Sequence, residues 1–355
     1  MHDGDDDFRF ETVELDDLRS DEVLIRMEAS GICYTDVEGK NMLARPAVLG
    51  HEGTGIIEKT GSDTSRLKIG DRVVMAFGWC GDCPNCVSGK IYICDHNIAI
   101  NFDGKRLDGS STIKLNGQAI SGAFFQQSSF ASKSICLERD LVKVSGKHAP
   151  EMLAALPCGV MTGAGAILNS LKVQAGESLV VFGVGAVGQS AVMAGKLVGA
   201  YPIIAVDIND NRLEMAKTLG ASHTINSAKE DMLRRIKDIL PRGSHFSFDT
   251  TGNEKILNTA IDCLAMGGHC GIVNAPDNEI PILATNRLFS RAAHLRSIYL
   301  GSSVPGRFIP KLIRLNQEGL FPYERLITTY KFEDINLAMS DLISGKSIKP
   351  VLEML

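Results

Sequence analysis

Residues 178–192 read Ser-Leu-Val-Val-Phe-Gly-Val-Gly-Ala-Val-Gly-Gln-Ser-Ala-Val, and this stretch decides the fold of the second half of the chain. Its apolar run, 179–182, predicts a parallel strand that is covered on both faces. Gly183, Gly185 and Gly188 follow as G-x-G-x-x-G. In such a turn the first glycine permits the tight bend, the second lets a pyrophosphate approach the backbone, and the third lets helix and strand pack closely. Because the helix N-terminus that follows offers free N–H groups to phosphates, the stretch predicts a dinucleotide site.

A second apolar run, 202–206, supports this prediction because it ends in Asp207. An acidic residue about 20 residues after the fingerprint is placed to bind the ribose hydroxyls of a dinucleotide. A 2′-phosphate would meet like charge there, and the neighbouring Ile208 offers no cation, so NAD is expected rather than NADP. Glycine turns between strand and helix also occur without a ligand, and the pattern alone leaves that alternative open.

Length and composition set broad limits on the protein. A chain of 355 residues is too long for one simple core and predicts two domains. The net charge of −5 predicts no nucleic-acid partner. No run of 18 apolar residues is present, and residues 1–7 are acidic and polar, unlike a signal peptide. We therefore expect a cytoplasmic protein without a membrane span.

The residue pattern changes near Cys158. Before it, alternating apolar and polar residues and frequent glycines predict an irregular β domain, with strands at 8–14, 22–29, 54–58 and 71–75. After it, strands alternate with helices, which predicts an α/β doubly wound parallel sheet. The expected elements of this part lie at 179–182, 186–199, 203–206, 210–219, 230–240, 246–249, 254–265, 270–273 and 295–300. Towards the end of the chain, helices are expected at 307–318 and 333–344 and strands at 328–332 and 349–354.

Four cysteines within fifteen residues form the strongest metal pattern, and they are Cys80, Cys83, Cys86 and Cys94. Four thiolates at this spacing can complete a tetrahedral shell within one loop, so the site should be structural. Zinc suits such a shell, and an iron–sulfur cluster is the rival reading.

A second set of candidate ligands is dispersed: Cys33, His51 and Cys158. Two cysteines and one histidine leave a fourth position for water or substrate, as in catalytic zinc sites. Read singly, each residue is ambiguous, because a lone cysteine is usually a small buried hydrophobe and a lone histidine a satisfied polar group. The remaining cysteines, Cys136, Cys263 and Cys270, are interpreted as inert core thiols.

Taken together, the motifs resemble those of the zinc-dependent medium-chain alcohol dehydrogenases, over nearly the whole chain. In order they are GICYTD, GHE, CGDCPNCVSGKIYIC, PCGVMTGAGA, GVGAVGQ and VDIN. Within that family, NFDGKRLDGSS, SVPGRFIPKLI and SGKSIKPVLEML look most like the aryl-alcohol (benzyl-alcohol type) enzymes. The resemblance implies a GroES-like catalytic domain over 1–158 with a structural zinc loop at 80–94, a Rossmann NAD-binding domain over 159–299, and a C-terminal return to the catalytic domain over 300–355.

The resemblance also implies roles for single residues. It places a catalytic zinc on Cys33, His51 and Cys158 and a structural zinc on Cys80, Cys83, Cys86 and Cys94, two zinc ions per chain. Asp36 would orient His51, Glu52 would lie close to the metal, and Thr35 would bind the alcohol and pass its proton on. The residues implied to bind NAD are Gly183, Gly185, Gly188, Asp207, Arg212, Thr162 and Lys349, the last on the pyrophosphate.

This sequence departs from the family pattern at three points. Glu38 stands where liver-type enzymes end the proton relay with a histidine, and either Glu38 or water would take the proton. Tyr34 replaces a residue that is basic in some relatives. The family usually has a further strand before Phe8, so the edge of the first domain is expected to be less stable.

The implied activity is oxidation of a primary, aromatic or allylic alcohol to the aldehyde with NAD, and the reverse. The alternatives are a polyol or formaldehyde-adduct dehydrogenase of the same superfamily and a non-catalytic NAD-binding protein of this fold. The length of the segment between Cys94 and Cys158 resembles that of dimeric liver-type enzymes, which implies a homodimer. The strand at 295–300 would lie at the sheet edge, where a partner would cover its unpaired backbone groups.

Overall fold

The computed structural model describes residues 1–4, 7–274 and 287–354. The chain forms two compact units. The first consists of Met1–Cys158, Val304–Ile313 and Glu324–Leu355, and the second of Gly159–Ser303 and Arg314–Tyr323.

The strands of the described residues are, in chain order, β1 (Glu14–Leu15), β2 (Glu22–Gly31), β3 (Gly53–Thr60), β4 (Arg72–Met75), β5 (Ile113–Leu115), β6 (Gln118–Ala119), β7 (Lys133–Leu137), β8 (Leu141–Lys143), β9 (Leu179–Phe182), β10 (Ile203–Asp207), β11 (His223–Asn226), β12 (Ser244–Asp249), β13 (Leu264–Ile272), β14 (His294–Ser297), β15 (Ile327–Lys331) and β16 (Lys349–Glu353). The α-helices are α1 (Tyr34–Met42), α2 (Pro84–Val87), α3 (Asn97–Phe102), α4 (Pro150–Ala154), α5 (Met161–Gly165), α6 (Ala186–Leu197), α7 (Asp210–Leu219), α8 (Met232–Ile239), α9 (Glu254–Asp262), α10 (Pro305–Gln317) and α11 (Ile335–Ile343).

The second unit contains a parallel sheet of six described strands in the order β11-β10-β9-β12-β13-β14. All residues of β9 and β10 are buried, as expected for strands with helices on both faces. The strand order reverses between β9 and β12, and the crevice at the carboxyl ends of these two strands is where such sheets bind ligands. The doubly wound sheet predicted from the sequence is confirmed, and Gly183 lies at that crevice.

The first unit is built on a mostly antiparallel sheet in the order β15-β16-β2-β3-β4-β8, with β7 also paired to β2. A core cluster of this unit contains apolar side chains from β2, β3, β4, β7 and β8, together with Leu67. The last strand, β16, pairs with the end of β2, with Val351 opposite Gly31. This pairing carries Lys349 to the turn between β2 and α1.

Several predicted elements differ from the structure, including the strand predicted at 270–273, which already begins at Leu264. The strand predicted at 8–14 is wrong: the backbone N–H and carbonyl of Phe8 bond the side chain of Asn336, and the first strand is only Glu14–Leu15. The helix predicted at 254–265 ends at Asp262, because Leu264 already pairs with β12. The strand predicted at 295–300 ends at Ser297, before a turn in which residues 300–302 have positive φ.

Among the described residues, the 22-residue helical stretch Pro150–Leu171 is long and apolar enough to cross a membrane by length and composition, with mean hydropathy 1.5 in an 18-residue window. The sequence reading did not identify it. In the structure 78% of its most apolar window is buried inside the protein.

A buried carboxyl group in the first unit makes stability depend on pH. Asp140 is 3% exposed, and neither of its oxygens has a hydrogen-bond partner among the described residues. Burial raises the pKa of Asp140 to about 8, against the opposing attraction of Arg139 and Arg66. In the unfolded chain this group ionises near its ordinary pKa of 3.8, so its folded form binds the proton more tightly and stability falls as pH rises from about 4 to about 8.

We therefore expect Asp140→Asn to raise the free energy of unfolding more at pH 8 than at pH 5, by on the order of 2 kcal/mol. The reason is that the variant has no charge to bury at pH 8. Urea unfolding at both pH values measures this difference, with Asp17→Asn at an exposed carboxylate as control. The same change in unfolding free energy at both pH values would contradict the prediction.

Candidate active site

The first unit brings together the dispersed residues that the sequence singled out. One ligand atom each of Cys33, His51, Glu52 and Cys158 lies within 4.8 Å of the others. The two sulfur atoms, 125 residues apart in sequence, are 3.8 Å apart. Sulfur ligands at about 2.3 Å from one tetrahedral zinc ion are about 3.8 Å apart, so the spacing fits a metal ion.

Asp36 fixes both the cysteine and the histidine of this cluster. It lies in the first turn of α1, where Oδ2 accepts a 2.9 Å hydrogen bond from the backbone N–H of Cys33. Its Oδ1 is 2.8 Å from Nδ1 of His51 and 3.2 Å from the backbone nitrogen of Gly50. Both side chains are almost completely buried. Because Nδ1 is held by the carboxylate, Nε2 is turned towards the two sulfur atoms.

The electrostatics of the cluster favour a cation. Nε2 of His51 is buried and has no hydrogen-bond partner among the described residues. Burial lowers the pKa of His51, but Asp36 and the Cys33 thiolate outweigh burial and raise it to about 10. A position that holds positive charge this strongly, beside two thiols and a free imidazole nitrogen, suits zinc, which takes nitrogen and sulfur ligands.

Glu52 and Lys349 form a buried ion pair at the edge of the cluster. The ammonium of Lys349 donates to Glu52 Oε2 and, at 3.3 Å, to the carbonyl of Ile32. The two side chains are 0% and 1% exposed. Burial raises the pKa of Glu52; burial lowers that of Lys349, but attraction to Glu52 outweighs this and the Lys349 pKa is raised overall. The pyrophosphate contact predicted for Lys349 stays a prediction.

The two residues of the predicted proton path lie on α1. Thr35 is half-buried, with Oγ1 3.8 Å from Sγ of Cys33, so its hydroxyl borders the cluster. Glu38 lies one turn further along the helix and is exposed. The relay role of each stays a prediction.

The four-cysteine loop closes on itself. The ligand atoms of Cys80, Cys83, Cys86 and Cys94 all lie within 4.8 Å of one another. Sulfur–sulfur distances are 3.8 Å from Cys80 to Cys86 and 3.5 Å from Cys94 to Cys80. Backbone N–H groups within the loop donate to the sulfurs of Cys80, Cys83 and Cys94 at 3.4–3.5 Å. These distances suit four ligands on one tetrahedral ion better than a cluster, whose cysteines bind different irons.

The glycine turn of the second unit has the geometry its sequence predicts. Gly183 has φ of +77°, which a side chain would strain. A Cβ at Gly188 would collide with the carbonyl oxygen of Gly183, so α6 packs tightly on the turn. A Cβ at Gly185 would meet nothing within 4 Å, so the backbone there is open to a ligand. This arrangement fits the three roles assigned to these glycines.

Asp207 lies at the carboxyl end of β10 beside that turn. Its Oδ2 accepts a 2.7 Å hydrogen bond from the backbone N–H of Val184, and Oδ1 accepts one of 2.9 Å from Asn209. Arg212 lies in the first turn of α7, with Nε buried and unpaired among the described residues. Thr162 is buried in α5. Their contacts with NAD stay predictions.

One buried residue beside the cluster was missed by the sequence reading. The carboxamide of Gln127 bonds the backbone on both sides of Glu52. A single glutamine 75 residues from the GHE motif carries no periodicity or spacing that points to this position.

Comparisons with known proteins agree with this geometry. The family model described as "Alcohol dehydrogenase GroES-like domain" matches residues 19–145, and that described as "Zinc-binding dehydrogenase" matches residues 186–317. A geraniol dehydrogenase from Castellaniella defragrans is 40% identical over 347 residues, which cover 96% of this chain and 93% of that protein.

Two solved structures are similar over almost their whole length. An alcohol dehydrogenase zinc-binding domain protein from Burkholderia ambifaria has a TM-score of 0.95 at 40% identity, covering 100% of this chain and 97% of that chain. A benzyl alcohol dehydrogenase from Acinetobacter calcoaceticus has a TM-score of 0.94 at 39% identity, covering 98% of this chain and 96% of that chain. The chain therefore belongs to the zinc-dependent medium-chain alcohol dehydrogenases, a family of NAD-dependent oxidoreductases, close to its benzyl-alcohol type.

Proposed function

We propose that this protein oxidises primary allylic or aromatic alcohols to aldehydes with NAD, and catalyses the reverse reaction. The observation that carries the proposal is the buried Nε2 of His51, which has no hydrogen-bond partner in the described part of the chain and lies beside the sulfur atoms of Cys33 and Cys158. Two thiolates and one imidazole leave a fourth position for substrate.

Each chain would hold two zinc ions. Cys33, His51 and Cys158 would bind the catalytic ion, which when bound supplies Lewis-acid chemistry towards the alcohol oxygen. Glu52 lies close enough to be a fourth ligand, and its Oε2 accepts a hydrogen bond from Lys349. Cys80, Cys83, Cys86 and Cys94 would bind the second ion, whose complete thiolate shell suits a structural role.

The side chains around the catalytic site have defined tasks in the reaction. Asp36 holds the His51 ring with Nε2 directed at the site. The hydroxyl of Thr35 both donates and accepts, so it can bind the alcohol and receive its proton. In the second unit, the turn at Gly183 and the carboxylate of Asp207 would bind NAD, which accepts the hydride.

The substrate class is inferred from the surroundings of His51 and from the relatives. The ring of Phe125 lies 4.7 Å from the imidazole, that of Phe124 lies 5.7 Å from it, and Phe102 lies 5.0 Å from Phe125. An apolar aromatic wall at the metal cluster favours flat apolar alcohols over polyols. The named activities of the relatives, on geraniol and benzyl alcohol, point in the same direction.

The test is an NAD-reduction assay over benzyl alcohol, geraniol, ethanol and a polyol, with zinc measured on the same sample. We expect kcat/KM for benzyl alcohol and geraniol to exceed that for ethanol by about tenfold or more, since each buried methylene contributes about 1–3 kcal/mol. A preference for the polyol, or the absence of NAD reduction by zinc-loaded protein, would refute the proposal.

Cofactor choice is expected to depend on Asp207. The unmodified protein should prefer NAD clearly over NADP, because a 2′-phosphate bound near the Asp207 carboxylate would meet like charge. Asp207→Ser should reduce the preference for NAD over NADP, mainly by changing the KM values for the two cofactors. Steady-state kinetics with NAD and with NADP measure this preference. Asp210→Ser is the control, because it removes a nearby carboxylate that pairs with Lys229. Equal use of both cofactors by the unmodified protein would contradict this prediction.

Assembly is predicted to be a homodimer. β14 lies at the end of the described sheet of the second unit, so one side of it is unpaired in that sheet. Joining two such edges across a two-fold axis would cover those backbone groups. Light scattering on the purified protein should give twice the 38.3 kDa chain mass, and a stable monomer or tetramer would show the prediction to be wrong. The cytoplasmic location expected from the sequence likewise stays a prediction.

A further inference from the structure

A buried turn, residues 123–130, lies along the segment that carries His51. The backbone N–H of Phe130 donates to the carbonyl of Leu49 at 2.9 Å, and that of Ser129 donates to Gly50 at 3.0 Å. The hydroxyl of Ser128 donates to Val48 at 2.6 Å. The turn therefore contacts three consecutive residues that lead into His51.

Gln127 continues this contact with its side chain. Nε2 donates to the carbonyl of His51 at 3.0 Å and to that of Ala76 at 3.2 Å, while Oε1 accepts the backbone N–H of Gly53 at 3.0 Å. The residue is 1% exposed, so these bonds are shielded from water. One carboxamide thus holds the backbone on both sides of Glu52.

The turn has an uncommon backbone conformation. Phe125, Gln126 and Ser128 have φ of +51°, +56° and +48°, which side chains seldom adopt. Such strain persists only where surrounding contacts hold it, and it is concentrated at functional sites. Here the turn also places the ring of Phe125 on the imidazole of His51, at 4.7 Å with 31° between the planes.

We propose that Gln127 is a positioning residue for the zinc ligand His51. Asp36 fixes the rotation of the imidazole through Nδ1, but the height of the ring above the two sulfur atoms depends on where the His51 backbone lies. Gln127 fixes that backbone through the His51 carbonyl and the Gly53 N–H. The inference rests on the proposed function, because it takes Cys33, His51 and Cys158 as the ligands of the catalytic ion.

The test compares two isosteric substitutions, Gln127→Glu and Gln126→Glu. In Gln127→Glu one oxygen can still accept from Gly53, while the other faces the carbonyls of His51 and Ala76 and repels them. Gln126 is a control in the same turn: it is 5% exposed, and its Nε2 donates to Ile100 at 2.7 Å and Lys105 at 2.8 Å rather than to His51. Both variants bury a new carboxyl group in the same turn.

The readout is the rate at which each purified, zinc-loaded enzyme loses its metal to a chelator, with the cobalt-substituted spectrum as a second measure. We expect Gln127→Glu to lose one zinc equivalent about 10–100-fold faster than the unmodified enzyme and to shift the cobalt absorption bands. Gln126→Glu should release the same ion within about threefold of the unmodified rate. Equal metal loss in both variants, whatever their thermal stability, would overturn the inference.

Two further measurements separate the possible failures. If Gln127→Glu does not fold, Gln127→Met, which removes the hydrogen bonds without adding charge, is judged by the same comparison. If Cys158→Ala retains two zinc ions, the ligand assignment of the proposed function fails, and the inference fails with it. If Cys158→Ala holds one zinc ion while Gln127 variants keep the unmodified metal-loss rate, only the inference fails.

Discussion

Replacing Cys158 with Ala is expected to lower turnover by about a thousandfold or more while the protein stays folded. Cys158 supplies one of two sulfur atoms beside Nε2 of His51, which is buried and has no hydrogen-bond partner among the residues that the structure describes. Lewis-acid stabilisation contributes several kcal/mol to such reactions, and each 1.36 kcal/mol is a factor of ten in rate. Because the cluster has an open position and the four-cysteine loop does not, loss of Cys158 should remove catalysis without removing the metal that supports folding.

The measurement is kcat with saturating alcohol and NAD, together with zinc content and thermal unfolding. Cys158→Ala should hold one zinc ion and unfold near the unmodified temperature. Cys86→Ala should instead lower the unfolding temperature markedly, since a structural metal contributes folding free energy. Cys136→Ala, at a buried thiol outside both clusters, controls for the loss of a core sulfur. A Cys158→Ala protein with two zinc ions and normal turnover would refute the assignment.

The parts of the fold that follow from local sequence were predicted well. The run 179–182 and the glycines after it are adjacent in sequence, and strand, turn and helix form where the pattern places them. The four cysteines of the loop are also close in sequence, so their spacing is enough to suggest a shared ion. The strand predicted at 8–14 failed because its backbone bonds a side chain from α11, more than 300 residues away.

The active site depends on contacts that local pattern does not contain. Cys33 and Cys158 meet because α4, which precedes Cys158, packs against β2, which precedes Cys33. The residue types alone left the role of each cysteine ambiguous. Family resemblance supplied that pairing. Neither source pointed to the Lys349 contact with Glu52 or to the carboxamide of Gln127, because both result from strand order and from side-chain bonds to distant backbone.

The proton path carries the other large expected effect. Thr35→Val should lower turnover by about 100-fold or more, because the variant keeps the shape of the side chain and loses the hydroxyl that lies 3.8 Å from Sγ of Cys33. Thr35→Ser keeps a hydroxyl and should retain much of the activity. The comparison of kcat for these two variants, with zinc content equal to that of the unmodified enzyme, measures the relay rather than the metal site.

The step beyond Thr35 should be far less sensitive. Glu38 is exposed on α1, where solvent water can take the proton as readily as a carboxylate. Glu38→Gln should therefore slow turnover by about tenfold or less, within the loss expected for one general base. The pH profile of turnover should show no histidine-like ionisation from a relay group. Glu38→Gln should therefore not remove such an ionisation from the profile. Two outcomes would contradict this path: near-normal turnover in Thr35→Val, or a Glu38→Gln enzyme as inactive as Cys158→Ala. The path requires the relaying hydroxyl of Thr35 to be essential and the exposed proton acceptor beyond it to be replaceable.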